Sequence, residues 1–142
     1  MTALIPLLLA SMSGTAAAAN RTVGAGASYD HSTIQAAINA SSNGDRVIIA
    51  SGTWSEALDT KGRNLTLTAA SGATVTIQAP SSTALTITRG ETVTVTDLRF
   101  ANSDQGIEVR GSTLFLTDST VTNNSGLVAG AGLGIFEGST AI

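Results

Sequence analysis

The chain has 142 residues, a net charge of −3 and no cysteine. One domain is the prior for that length. The lack of thiols excludes disulfides, thiolate metal sites and a cysteine nucleophile, and an acidic balance without a basic run argues against nucleic-acid and anionic-membrane partners. Only 12% of residues are charged and 4% aromatic, and Thr, Ser, Ala and Gly dominate, a profile that suits β structure with small-residue turns rather than a helical bundle.

Residues 1–19 differ in kind from the rest. Ala3 to Ala10 form a short apolar core, Ser11 to Thr15 are small and polar, and Ala16 to Ala19 offer an A-x-A processing site. The pattern predicts a signal peptide cut near Ala19 and therefore a secreted, periplasmic or cell-surface protein with no transmembrane span in the mature chain. Its departure is the absence of Lys or Arg at the start. Residues 20–45 read as a loop and a capping helix. Asn20 to Asp30 are polar and Gly-rich, and Ser32-Thr33-Ile34-Gln35 has the form of a capping box, with the Ser32 hydroxyl accepting from the Gln35 N–H and the Gln35 side chain reaching back. A short helix to about Ser42 follows, with Ile34, Ala37 and Ile38 on one face.

From Arg46 to Ile142 the apolar period becomes two. Expected strands are Val47–Ile49, Trp54–Leu58, Leu65–Thr68, Val75–Ile77, Leu85–Thr88, Val93–Val95, Ile107–Val109, Leu114–Leu116 and Leu133–Ile135, separated by Gly, Asn, Asp and Ser turns. Arg89 to Asn102 then recurs 21 residues later as Arg110 to Asn123. A fixed period with apolar residues at alternate positions is the mark of a solenoid. It predicts Val93 stacked on Leu114, Val95 on Leu116, Phe100 on Val121 and Asn102 on Asn123, the last pair as a side-chain amide ladder. A β-sandwich has no reason to keep like side chains at a constant offset. The spacing from Gly62 to Gly90 is 28 residues and from Gly111 to Gly138 is 27, which places insertions around Thr74–Pro80 and Leu127–Gly132. Each rung would bury five or six aliphatic side chains at roughly 1.5–3 kcal/mol apiece. Gly138 to Ile142 repeats the opening of a rung, so the C-terminal end reads as open or truncated, and an open rung offers a route to end-to-end self-association.

Two segments carry a family resemblance. Thr33 to Ala40 followed by Gly44 to Glu56 resembles the N-terminal helix, G-D turn and P-G-T-Y-x-E-like strand of right-handed parallel β-helix proteins in the pectin-lyase-like superfamily, with Ser51 for the usual Pro and Trp54 for the usual Tyr. Leu114 to Ser125 with Gly132 to Phe136 is similar to the repeats of exported bacterial β-helix surface proteins. The resemblance implies an all-β, right-handed parallel β-helix with a short N-terminal capping helix. That scaffold hosts lyases, hydrolases, esterases and adhesin-like passengers alike, so the implied function is an exported scaffold contacting polysaccharide or cell-surface glycan, without a complete catalytic site. The alternative is the N-terminal part of a polysaccharide-active enzyme (pectate lyase, glycoside hydrolase or pectinesterase-like) whose catalytic rungs follow residue 142. The paired Asp and Gln and the Arg-Pro-Trp stretch of pectinesterases find no match here.

The candidate site residues are few. Asp97 and Asp118 fall at the same place in consecutive rungs, a spacing that would suit a retaining glycosidase pair or, under the lyase alternative alone, a Ca²⁺ site. No other cofactor is implied. The competing reading makes each a turn residue accepting from nearby amides, and repetition favours it, since catalysis needs a residue once. Arg89 and Arg110 also recur and could grip uronate carboxylates, although each precedes a turn glycine. His31 is the only histidine and sits beside the helix start, far from a Ser-His-Asp pattern. The glycines near residues 24–26 and 130–134 do not join a strand to a helix as a phosphate loop would. Thr-x-Thr pairs such as Thr66/Thr68 and Thr94/Thr96 raise an ice-binding idea, but any strand buried on one side alternates in this way.

Overall fold

The computed structural model describes residues 17–126 and 131–142; the apolar core of the expected leader and most of the Leu127–Gly132 insertion lie outside them. The described chain is a parallel β-solenoid built from three stacked sheets. The first sheet contains β1 (Asn20–Val23), β2 (Arg46–Ile49), β5 (Leu65–Ala69), β8 (Thr92–Thr96), β11 (Thr113–Thr117) and β14 (Thr140–Ala141), in that order. The second stacks β3 (Gly52–Ser55), β6 (Val75–Gln78), β9 (Arg99–Ala101) and β12 (Thr120–Thr122). The third stacks β4 (Leu58–Asp59), β7 (Thr83–Ile87), β10 (Gln105–Val109) and β13 (Leu133–Ile135). All the strand pairings are parallel, which rules out the hairpins of a sandwich.

Alternation along each strand sends one set of side chains inward, and the stacking turns those sets into columns. Leu65, Val93 and Leu114 form one column and Leu67, Val95 and Leu116 the next. Trp54, Ile77, Phe100 and Val121 line the second sheet, and Leu58, Leu85, Ile107 and Leu133 the third. Val95, Phe100 and Ile107 are fully buried. The expected register is therefore met at Val93, Val95 and Phe100. Asn102 does stack on Asn123, but through its backbone: its N–H donates to the Asn123 carbonyl at 3.1 Å. Both residues have positive φ, 55° and 53°, a conformation that asparagine tolerates better than most residues.

Several expectations are corrected at the N-terminal end. Asn20–Val23 is a strand, not a loop, because it pairs in register with Arg46–Ile49; tertiary pairing overrides a polar local sequence. The helix α1 (Ile34–Ala40) is capped by Thr33, whose side chain accepts from the Ala36 N–H at 3.2 Å, rather than by Ser32. The Gln35 side chain does not reach back; it donates to Asn39 Oδ1 and to the Asp59 carbonyl and accepts from the Asp59 N–H. The two free amides of Ile34 and Gln35 donate instead to the Glu56 carboxylate, at 2.9 and 3.0 Å. Glu56 also lies where the expected Trp54–Leu58 strand breaks at a corner into β3 and β4. Ile34, Ala37 and Ile38 close the first rung as a plug.

The insertions sit at corners. Thr68 and Thr76 are eight residues apart, whereas their partners Thr96 and Arg99 are three apart. Five of the extra residues therefore enter between Ala69 and Val75, earlier than Thr74–Pro80. The later lengthening falls between Val121 and Leu133, twelve residues against seven for their partners Phe100 and Ile107.

Buried acids pin other corners. Asp45 accepts from the backbone N–H groups of Ser42 and Ala19 and from the Arg21 guanidinium, which hold its carboxyl below the ordinary range. Glu91 is 2% exposed and accepts from the Thr60 hydroxyl, the Thr88 and Arg89 N–H groups and the Ser112 hydroxyl. Burial pushes its carboxyl up, but the Thr60 hydroxyl and the surrounding amides outweigh that and hold it below the ordinary glutamate range.

Val95→Asp should abolish the fold by placing an unpaired charge in the inner column, read as loss of the β circular-dichroism signal; an unchanged melt would contradict this register. Glu91 and Asp45 are both depressed carboxyls, so their stabilisation is full above the unfolded-state values and is lost as pH falls through the lower folded-state ones. The melting temperature should hold at neutral pH and drop below about pH 4. Glu91→Gln, which meets donors with an amide, should lower stability at pH 7 by about 1–3 kcal/mol and flatten that acid limb.

Candidate functional site

Where β5, β8 and β11 turn into β6, β9 and β12, the described residues enclose a shallow groove of about 210 Å³. The lengthened Ala69–Val75 corner makes one wall, contributing Thr74 and Val75. Asp97, Leu98 and Arg99 come from the next rung, and Asp118 and Thr120 from the one after. The groove lies where a corner five residues longer than its neighbour meets the shorter ones.

Both aspartates hold the left-handed backbone that ends a strand, with φ 57° for Asp97 and 48° for Asp118. The Asp97 N–H donates to the Thr117 carbonyl at 3.2 Å. Beside them, the Ser119 hydroxyl accepts from the Leu98 N–H and donates to the Thr117 carbonyl. Repeated Asp at this corner is thus explained by backbone geometry. Their carboxylates are a separate matter. Asp97, Asp118 and Arg99 are exposed, and among the described residues none of the three side chains is engaged in a hydrogen bond or ion pair. The ion pairs found elsewhere among the described residues are Arg21–Asp45, Lys61–Asp59 and Glu108–Arg110.

Asp97 and Asp118 lie one rung apart, about 4.8 Å along the stack. The two share a left-handed backbone conformation and both are exposed. The arrangement is suited to binding: carboxylates accept from hydroxyl groups, a guanidinium donates to oxygen, and Thr74 and Thr120 can do either.

Arg89 and Arg110 are elsewhere. They precede β8 and β11, whereas the aspartates follow those strands, so the length of a five-residue strand, about 13 Å from its first residue to its last, separates the two groups. Arg110 is occupied, paired with Glu108 and lying 3.7 Å over the Phe136 ring. Its neighbour Gly111, with Gly62, Gly90 and Gly138, forms a turn column with φ between 55° and 78°, which accounts for the glycine of the Arg-Gly repetition. His31 closes the N-terminal loop through its backbone, donating to the Thr22 carbonyl and accepting from the Gly24 N–H. On the outer face of the first sheet, Thr66, Thr94 and Phe115 share a column with Arg46, and Thr68, Thr96 and Thr117 share one with Ile48. The threonine array is thus interrupted by a cation and two large apolar side chains.

Arg99 and Thr74 were missed in the sequence. Arg99 lies outside the Arg-Gly pattern, and Thr74 joins the site only through the lengthened corner. The mismatch between the 28- and 21-residue spacings was the available signal. Among the described residues no group of three or more His, Cys, Asp or Glu could hold a metal ion, and no helix is long and apolar enough to cross a membrane. No family model matches the chain, and neither a curated protein nor a solved structure matches it.

The left-handed corner makes a sharp distinction between substitutions. Asp97→Asn should leave the melting temperature nearly unchanged, whereas Asp97→Val, β-branched at positive φ, should cost about 1–2 kcal/mol, read by thermal or urea unfolding.

Proposed function

We propose that this chain is a non-catalytic, glycan-contacting β-helix scaffold of the exported bacterial surface type, related to the pectin-lyase-like superfamily. The family likeness rests on the helix-to-strand segment from Thr33 to Glu56 and on the degenerate rungs after Leu114. The contact surface is the corner groove. The observation that carries this reading is that Asp97, Arg99 and Asp118 face one groove with no partners of their own. Ion pairs at a protein surface are readily formed, and leaving both signs unpaired side by side fits a surface that trades water for the hydroxyls of a sugar polymer.

The one-rung spacing of Asp97 and Asp118 favours a second reading, a polysaccharide hydrolase or lyase. Both are tested by one set of measurements: affinity electrophoresis and calorimetry on a panel of polysaccharides, with an assay for reducing ends and unsaturated products, with and without Ca²⁺. The scaffold reading expects retardation by at least one polymer, weakened about tenfold by Arg99→Ala (a loss of about 1.4 kcal/mol), and no product. Turnover abolished by Asp97→Ala or Asp118→Ala would establish the enzyme instead; failure to bind any polymer would remove the glycan reading.

A further inference from the structure

We propose that the corner groove selects uncharged, hydroxyl-rich glycans and rejects polyuronates, with Asp97 and Asp118 as the discriminating groups and Arg99 as the anchor. This rests on the groove being the glycan contact. The charge count within the groove is the starting point: two carboxylates against one guanidinium, lining a single depression. All three side chains are unengaged within the protein, so a ligand meets their full charge.

A neutral sugar offers each of them a partner. Its hydroxyls donate to the carboxylate oxygens and accept from the guanidinium, and the exposed Thr74 and Thr120 side chains in the groove wall can do either. A uronate brings a carboxylate of its own to every residue. One such group can pair with Arg99, but it must then sit beside Asp97 or Asp118, since Arg99 is two residues from Asp97 and pairs in register with Thr120, two residues from Asp118. Like charges brought together across a contact select against the wrong partner.

Among the described residues that line the groove, Arg99 is the one cation. Arg89 and Arg110 are at the far ends of β8 and β11, and Arg110 is held by Glu108 and Phe136. The net charge of −3 adds a longer-range repulsion of polyanions. The discrimination is local at short range and screened by salt.

The test uses the full chain with a neutral β-glucan or galactomannan and with polygalacturonate, at low and high salt and in chelator. The wild type should bind a neutral polymer at least about tenfold more tightly than polygalacturonate at low salt, and the gap should narrow as salt screens it. Asp97→Asn and Asp118→Asn, both compatible with the left-handed corner, should each move the ratio severalfold toward polygalacturonate. Glu137→Gln removes the same unit charge from an exposed position outside the groove and should not move the ratio. Melting curves establish that each variant is folded. Equal or tighter binding of polygalacturonate by the wild type, or a ratio shifted as much by Glu137→Gln as by Asp97→Asn, would overturn the selectivity while leaving glycan contact standing. Absence of binding to any polymer would overturn both.

Discussion

In-register parallel stacking is the constraint on which the rest of this structure depends. A single rung exposes an apolar inner edge above and below, and only its neighbours complete it. The columns through Val93, Val95, Phe100 and Ile107 are continuous because corresponding residues lie directly over one another. A slip of one residue would turn every inward side chain outward. The chain accordingly spends its unusual backbone conformations and buried polar groups at the corners, where such a slip would begin. Asp97 and Asp118, Asn102 and Asn123, and the glycines at 62, 90, 111 and 138 are among the positive-φ positions that end one face and start the next.

The acids divide accordingly. Asp45, Glu56 and Glu91 are committed to the protein itself, each accepting backbone amides that no strand or helix satisfies. Glu91 spans three rungs, taking the Thr60 hydroxyl from one side and the Ser112 hydroxyl from the other. Ser103 and Asn124 act alike at another corner: Ser103 accepts from the Ala79 N–H, and the Asn124 side chain accepts from the Ser103 N–H. Against that background, carboxylates that remain unengaged are informative, and Asp97 and Asp118 owe their position to the backbone while their side chains stay available.

Most of the fold was legible in the sequence because the 21-residue recurrence reports directly on which residues stack, and a register is a stronger constraint than any local propensity. What escaped is non-local. Asn-Arg-Thr-Val at 20–23 has no strand pattern of its own and becomes one only against Arg46–Ile49. The carboxylate that caps α1 comes from Glu56, 22 residues downstream of Ile34, so a capping box written into adjacent residues was the natural but wrong choice. The site was half legible. The stacked aspartates followed from the period, but Arg99 entered no repeated motif. Of the arginines that did recur, each precedes a positive-φ turn glycine, and Arg110 is held by Glu108 and Phe136.

The five residues added between Ala69 and Val75 change nothing in the pairing on either side of them: Thr68 still lies over Thr96, and Ile77 over Phe100. Relief on the flank and order in the interior are therefore separable properties of this chain. Lengthening or trimming one bend can carve a new depression, or erase one, while the aliphatic stack beneath it is left undisturbed. Such a molecule can diversify what it touches by gaining and losing short segments at its bends without having to fold anew.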